Sequence, residues 1–167
     1  MSLLEIPSIS RLRRNHGLEH ATLHLLSQRF PYRTLAGYST PGGFFLFGDV
    51  PTEELHAAVT QALSRLKAGE RSLAIHEHCG TNLVVAGVLA GLLAWQGMAG
   101  AKGRRSQLQR LPLVISLAAL GIVASQPLGP LLQARVTTSG EPDGLAVVDV
   151  VPLRVGRLAL HRVVTQG

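Results

Sequence analysis

The stretch "TNLVVAGVLAGLLAWQGMAGA", residues Thr81–Ala101, carries no charged side chain. At 1.5 Å per residue, a helix of this length measures about 30 Å, which is the thickness of the hydrocarbon core of a bilayer. A second uncharged stretch runs from Leu111 to Ala134, and Pro127 and Pro130 within it predict a bend or an early end. We therefore predict two membrane spans, at about residues 81–101 and 111–132.

The residues between the two spans, "KGRRSQLQR" at 102–110, leave room only for a tight hairpin. Both spans carry small residues four positions apart, Gly87 with Gly91 and Gly121 with Ser125, and such spacing lets helix backbones approach closely in lipid. The alternative is a pair of buried core helices in a soluble protein, which a core of this size rarely holds. We predict a helical hairpin that packs on itself within the membrane.

The composition also indicates a membrane protein. Charged residues make up 16% of the 167 residues and apolar residues 46%, whereas soluble domains usually carry about a quarter charged residues. The net charge of +6 comes from basic residues that are scattered and hardly interleaved with aromatic ones, so we expect no nucleic-acid binding. The single cysteine, Cys79, excludes an internal disulfide and a CxxC zinc or redox pair.

A hairpin places the N-terminal region and the C-terminal tail on the same side of the membrane, and two patterns disagree about which side. Lys102, Arg104, Arg105 and Arg110 in the link favour a cytoplasmic link. However, basic residues also flank the spans at their other ends, and the first residues lack the pattern of a signal peptide. Translocating a short link is easier than exporting a folded domain, so we expect a cytoplasmic head.

The residues on either side of the hairpin predict one α+β domain. Ser10 can cap a helix that runs from about Arg11 to Arg29 and stops before Pro31, and Thr52 can open a second helix. Short strands are predicted for "RTLAGYS", "GFFLFGDV" and "RSLAIHEHC", and after the hairpin for "ARVTTSG" and "LAVVDVVPLRV".

The predicted fold is therefore a helix-strand-strand-helix-strand head that is completed by C-terminal strands and interrupted by a two-helix transmembrane hairpin. The corresponding domains are the head at residues 1–80, the hairpin at 81–134, and a C-terminal β tail at 135–167 that packs on the head.

The first helix contains the stretch "NHGLEHATLHLL", Asn15–Leu26. On a helix, His16, His20 and His24 fan across about 80° of one face, with Glu19 beside His20. The spacing H-x-x-E-H is the inverzincin signature. Two imidazoles one turn apart can both reach Zn²⁺ at about 2.0–2.1 Å, and the glutamate can accept a proton from a metal-bound water. We predict His16 and His20 as zinc ligands and Glu19 as a catalytic base.

This spacing resembles the pitrilysin and insulysin type of zinc peptidase, in which the two histidines bind zinc and the glutamate is the base. The resemblance covers about a dozen residues. Those enzymes take a third ligand, a glutamate, from a helix far downstream, whereas the matching distance here falls inside the first predicted span, which has no acidic residue. The resemblance implies hydrolytic chemistry at the motif and leaves the third ligand to another element.

We expect that third ligand from "HEHCGTN", His76–Asn82, at the junction of the head and the first span. In an alternating strand, His76 and His78 share one face while Glu77 takes the other. Cys79 offers a sulfur ligand when it is deprotonated. The predicted third ligand is His78 or His76, and the additional candidates are His24, Cys79 and Glu77.

The same residues also allow a structural interpretation without a metal. A H-x-x-E-H string arises easily by chance, and histidines on an amphipathic helix often make hydrogen bonds at its polar boundary. Glu19 could pair with a nearby arginine. In "HCGTN", Gly80 could allow a turn while Thr81 or Asn82 caps the span.

Taken together, "RNHGLEHATLHLL", "GGFFLFGDV" and "LAIHEHCGTNLVVAG" before a membrane hairpin resemble an uncharacterised family of small bacterial membrane proteins, found particularly in cyanobacteria. The resemblance implies this architecture and a plasma or thylakoid membrane, and it brings no established activity.

The sequence thus predicts a small integral membrane protein with a zinc-binding, metallopeptidase-like site near the membrane surface. A membrane-bound peptide or a lipid-linked substrate would fit that position. The alternative is a non-enzymatic accessory or assembly subunit that uses the hairpin to dock on a larger membrane complex, with structural histidines.

Overall fold

The computed structural model describes residues 3–156 and 158–167. The chain divides into two compact units. The first extends to His76 and resumes at Ala134, and the second comprises Glu77–Gln133.

The first unit contains two α-helices and a four-stranded antiparallel sheet. The helices are α1 (Pro7–Arg29) and α2 (Thr52–Lys67). The strands are β1 (Ala36–Thr40), β2 (Gly43–Phe47), β3 (Ala146–Val155) and β4 (Leu158–Gln166). Their order in the sheet is β1-β2-β4-β3, so the C-terminal strands complete the sheet that the β1-β2 hairpin begins. The predicted α+β class is confirmed.

The core of the first unit lies between the two helices and the sheet. Helix α1 contacts α2, β1 and β2, and α2 contacts β3. The buried side chains of this core include Leu18 on α1, Leu55 on α2, Phe44 and Leu46 on β2, and Val163 on β4. Burying one such side chain contributes about 1.5–3 kcal/mol relative to its exposure, which determines the face that α1 turns toward the sheet.

Helix α1 begins earlier than predicted. Pro7 lies in its first turn, where the missing N–H would have no helical partner in any case. Ser10, the predicted cap, lies inside the helix, and its N–H bonds to the Ile6 carbonyl at 2.8 Å. The end at Arg29 agrees with the prediction.

Two of the predicted strands are wrong. In "RSLAIHEHC", Arg71–Ala74 form a 3-10 helix, and a π-helical turn at Gln133–Thr137 overlaps the start of "ARVTTSG". In both segments the backbone carbonyls accept hydrogen bonds from side chains of α1 instead of from a neighbouring strand. Alternating hydrophobicity alone does not reveal such partners.

The second unit is a pair of helices, α3 (Gly80–Met98) and α4 (Gly103–Leu132), joined by residues 99–102. Helix α4 begins inside the predicted link, so most of the basic residues of the link are helical. Arg110 donates to the carbonyls of Gly97 and Ala99, and it thereby satisfies groups that the end of α3 would otherwise leave without a helical donor.

The two helices approach closely at Gly121. A Cβ placed there would lie 2.7 Å from the backbone nitrogen of Ala90, whereas at Gly87 and Gly91 it would meet no described heavy atom within 4 Å. The close contact therefore depends on the glycine of α4 rather than on the small residues of α3.

Helix α4 continues through Pro127 and Pro130 and ends at Leu132, the end that the sequence predicts for the second span. A helix that packs against a neighbouring helix can accommodate the backbone hydrogen bonds that proline removes. The irregular π-helical turn follows only after Leu132. Both helices are long and apolar enough to cross a membrane, and 6% and 11% of their most apolar windows are buried.

Candidate metal centre

Four imidazoles meet on one face of α1 in the first unit. His16 and His20 lie one helical turn apart, and their ring centroids are 4.4 Å apart. The ring of His76 lies 5.6 Å from that of His20 and 4.9 Å from that of His24. The structure thus brings together four of the residues that the sequence predicts for the site.

Backbone carbonyls fix the rings of His16 and His20. Nδ1 of His16 lies 3.0 Å from the Thr137 carbonyl oxygen, and Nδ1 of His20 lies 2.8 Å from that of Ala74. A carbonyl oxygen can only accept a hydrogen bond, so both Nδ1 atoms carry a proton, and in the neutral ring Nε2 carries the lone pair. Metal-binding histidines are commonly held in this way, because the outer hydrogen bond sets the tautomer and the ring orientation.

His24 is held in the opposite sense. Its Nε2 donates to the Ile75 carbonyl at 2.8 Å, which leaves Nδ1 with the lone pair in the neutral ring. His20 is the most buried of the four, at 1% exposure, while His16, His24 and His76 are partly buried. The cluster is therefore buried at His20 and partly open to solvent at its other three rings.

Glu19 is held by a different element. It is only 4% exposed, and its carboxylate accepts a hydrogen bond from the Ser39 hydroxyl on β1. Its side chain also fills the space beside Gly37, where an added Cβ would lie 2.6 Å from Glu19 Cγ. The glutamate thus packs against the sheet, whereas the carbonyls that anchor the imidazoles belong to residues 74, 75 and 137.

Three further residues in or next to the motif have structural partners that the sequence did not reveal. The Arg13 guanidinium donates to the carbonyls of Arg135, Val136 and Thr138. A Cβ at Gly17 would overlap the Ser139 carbonyl oxygen and lie 3.1 Å from the Ser139 carbonyl carbon. Both residues therefore hold the chain that returns after α4 against α1.

Asn15 is the third of these residues, and it is fully buried. Its amide donates to the carbonyls of Thr40 and Pro41 at 2.9 and 3.2 Å, and its Oδ1 accepts from the Thr165 hydroxyl at 2.7 Å. It therefore ties α1 to the β1-β2 turn and to β4. An amide beside the first histidine is the only sequence signal for this role.

The remaining predicted ligands, Glu77, His78 and Cys79, belong to the second unit. They line a cleft of about 680 Å³ together with residues of α3 and α4. Cys79 is the N-cap residue of α3, and its sulfur accepts a hydrogen bond from the Thr81 N–H at 3.4 Å. The cap is thus the cysteine, and not Thr81 or Asn82.

Asn82 connects the two helices of the second unit. Its amide donates to the Glu77 carbonyl at 2.7 Å, and its Oδ1 accepts from the Gln133 amide at 2.6 Å. A Cβ at Gly129 would lie 2.9 Å from Asn82 Cγ. The "HCGTN" motif therefore has a role in the packing of α3 and α4.

His161 lies on β4, outside the cluster. It is 5% exposed, and its Nε2 is 3.1 Å from the Thr52 hydroxyl. Burial lowers the pKa of His161 below the usual value, and the nearby Asp49 carboxylate opposes this shift. Burial therefore favours the neutral ring in the folded first unit.

Comparison with known proteins gives a family and no activity. A relative from Picosynechococcus sp. (strain ATCC 27264 / PCC 7002 / PR-6), described as an uncharacterized protein, is 36% identical over 140 residues. The match covers 77% of this chain and 66% of the relative, so the chain spans slightly less than two thirds of the relative's length. No solved structure matches the chain. A family profile matches residues 11–150, and the chain therefore belongs to the family described as "Domain of unknown function (DUF6391)".

Proposed function

We propose that this protein is a small integral membrane protein whose head binds a transition metal ion, in the first instance Zn²⁺. The ligands in this proposal are Nε2 of His16, Nε2 of His20 and the imidazole of His76, with His24 as a fourth candidate. The observation that carries the proposal is the contact among the four rings, three of them oriented by backbone carbonyls.

The spacing of the rings suits a shared ion. With Zn–N distances of about 2.0–2.1 Å, two imidazoles at a roughly tetrahedral angle place their centroids about 5 Å apart. The observed separations of 4.4, 4.9 and 5.6 Å fall on either side of this value. Imidazole nitrogen also suits Cu, Ni and Fe, so metal analysis has to include these ions.

The bilayer is the proposed partner of α3 and α4. The apolar windows of both helices are largely unburied, whereas core helices of soluble proteins are mostly covered. Large apolar side chains, among them Leu83, Trp95 and Ile115, are exposed to the surroundings. In lipid this exposure is favourable, and in water it would drive aggregation. We place the head on the cytoplasmic side, because translocating the short link between the helices is easier than exporting a folded domain.

Thiol labelling tests this orientation. In a Cys79→Ser background, Gln107→Cys lies near the start of α4 and Ser64→Cys on the exposed side of α2. A membrane-impermeant maleimide added to intact cells is expected to label the Gln107→Cys variant and to spare Ser64→Cys until the cells are lysed. The reverse pattern places the head outside.

The geometry supports metal binding more directly than hydrolysis. The carboxylate of Glu19, the predicted base, accepts a hydrogen bond from Ser39 on β1, and hydrolysis would further require it to lie within hydrogen-bond reach of a metal-bound water. Hydrolysis of a membrane-bound peptide or of a lipid-linked substrate therefore stays a prediction. A Glu19→Gln variant that keeps its metal but loses a measured hydrolytic activity would support it.

The alternative is an accessory or assembly subunit of a larger membrane complex. It is supported by the structural partners of Arg13, Asn15 and Gly17, through which this part of α1 holds other segments of the head. In that case the histidines hold no exchangeable metal, or hold one with every coordination position filled by protein.

Metal content tests the proposed metal site. The full chain is purified in mild detergent, and bound metals are measured by mass spectrometry for the wild type, for His20→Gln and for His76→Gln. His56→Gln is the matched control, because His56 is exposed on α2. We expect about one ion per chain in the wild type and the control, and a zinc titration should show an affinity at least tenfold lower in the two cluster variants. A wild-type protein without metal, or cluster variants that bind as well as the control, would overturn the proposal.

A further inference from the structure

Two segments of the first unit lead to and from the apolar helices in the sequence. The leading segment, Arg71–His76, precedes α3, and the returning segment, Ala134–Ser139, follows α4. Neither segment belongs to the sheet. Both are held by side chains of α1, and three of these side chains are imidazoles of the cluster.

The leading segment is held by two histidines. His20 Nδ1 donates to the Ala74 carbonyl and His24 Nε2 donates to the Ile75 carbonyl, both at 2.8 Å. The ring of the adjoining His76 lies in the same cluster. The last residues before α3 are thus fixed by groups that are also candidate metal ligands.

The returning segment is held by one histidine and by Arg13. His16 Nδ1 donates to the Thr137 carbonyl at 3.0 Å, and the guanidinium donates to three carbonyls of the same segment. The N–H of Ser139 also donates to the Arg13 carbonyl at 2.9 Å. The hydrogen bond from His16 can therefore respond to a metal on its ring, whereas the hydrogen bonds of Arg13 cannot.

We propose that metal binding at the histidine cluster locks the leading and returning segments onto α1, so that the ion controls how firmly both connections to the apolar helices are held. This inference rests on the proposed metal site. An ion on Nε2 withdraws electron density from the ring, which makes the Nδ1–H a stronger, charge-assisted donor to its carbonyl. His76 adds a direct tie, because it is both a ligand and the last residue of the leading segment.

Thermodynamic linkage between metal binding and the carbonyl contacts sets the expected change in the local opening of the two segments. Outer hydrogen bonds to metal-binding histidines typically change metal affinity by about 10–100-fold. Coupling of this kind is reciprocal, so the metal must stabilise the carbonyl contacts by the same factor. Local opening of either segment should therefore become about 10–100-fold rarer when the site is filled.

Limited proteolysis measures this opening, because the chain carries an exposed trypsin site in each segment, Arg71 and Arg135. The full chain in mild detergent is digested after chelation and after addition of ZnCl₂, and the rate of each cut is followed by mass spectrometry. The control is the cut at Arg33, an exposed site in the connection between α1 and β1. Zinc content is measured on the same samples.

We expect zinc to slow the cuts at Arg71 and Arg135 by about 10–100-fold and to leave the cut at Arg33 nearly unchanged. Arg13→Gln removes the metal-independent hold, so it should speed the chelated cut at Arg135 while keeping the protection by zinc. If zinc binds but slows no cut selectively, this inference is overturned and the metal site stands. If no zinc binds, both are overturned.

Discussion

Replacing Gly17 by alanine tests the contact between α1 and the returning segment. In an open helix this change is favourable by about 1 kcal/mol, because alanine has the higher helix propensity. Here a Cβ would overlap the Ser139 carbonyl oxygen, and it would also lie 3.1 Å from the Ser139 carbonyl carbon and 3.2 Å from Ala74 Cβ. The obstacle is backbone, and it is tied to α1 by the hydrogen bond from the Ser139 N–H to the Arg13 carbonyl.

The clash should exceed the gain in helix propensity. The Ser139 carbonyl must retreat by more than about 1 Å to reach an ordinary van der Waals separation, and overpacking of this kind typically costs about 1–3 kcal/mol. Because the displaced group is backbone, we take the upper part of that range, about 2–3 kcal/mol. Subtracting the propensity gain of about 1 kcal/mol leaves a net destabilisation of about 1–2 kcal/mol, which is a factor of about 5–30 in the unfolding equilibrium. The same shift moves Thr137 away from His16, so we expect zinc affinity to fall by about tenfold.

Pulse proteolysis across a urea series in mild detergent measures the free energy of unfolding of the head, and a zinc titration measures affinity. Gly87→Ala is the matched control, because a Cβ at that helical glycine meets no described atom within 4 Å. It should leave the unfolding of the head unchanged. A Gly17→Ala variant as stable as the wild type would show that the returning segment does not lie against α1.

Three further predictions concern stability. The unfolded state protonates at the ordinary histidine pKa of about 6.5, and burial lowers the pKa of His161 in the folded state. The stability that the neutral ring contributes is therefore full above about pH 6.5 and declines as the pH falls toward the folded-state pKa. The urea midpoint should consequently depend less on pH in His161→Gln than in the wild type between about pH 7 and pH 5. A double-mutant cycle on Asn82 and Gln133 should give a coupling of about 0.6–1.7 kcal/mol in detergent unfolding. Arg110→Gln should increase hydrogen exchange at the end of α3.

Each of these predictions has a result that would contradict it. An unchanged pH profile in His161→Gln would show that its ring titrates as in water. Additive effects at Asn82 and Gln133 would show that their side chains do not meet. For Arg110, Arg104→Gln is the control, since Arg104 is exposed on the same helix. Equal hydrogen exchange at the end of α3 in both variants would show that Arg110 does not cap that helix.

The parts of the fold that the sequence predicted correctly depend on local periodicity. The apolar stripe of α1, the turn between β1 and β2, and the long uncharged helices all follow from the pattern of side chains along one element. The two strands that were wrong, at Arg71–Ala74 and at Gln133–Thr137, depend on partners far away in the chain. Their carbonyls bond to Arg13, His16, His20 and His24, and no local pattern carries that information.

The histidine cluster shows the same division. The placement of three imidazoles on one face follows from the four-residue spacing, whereas the carbonyls that orient them come from distant residues. The same helical geometry places Glu19 about 100° away from His20 around the helix axis, where its carboxylate accepts a hydrogen bond from the Ser39 hydroxyl. The resemblance to an uncharacterised family is confirmed, and the resemblance to zinc peptidases stays a prediction.

The order of synthesis constrains when the cluster can be completed. His16, His20 and His76 precede the apolar helices, but the carbonyl that orients His16 belongs to Thr137, which follows them. The sheet likewise needs β4, which pairs with β2 and thereby joins the part of the chain before α3 to the part after α4. The head therefore cannot finish folding until both apolar helices have left the ribosome. A chain truncated after Gln133 should consequently bind zinc at least tenfold more weakly than the full chain, and equal affinity would show that the returning segment has no part in the site.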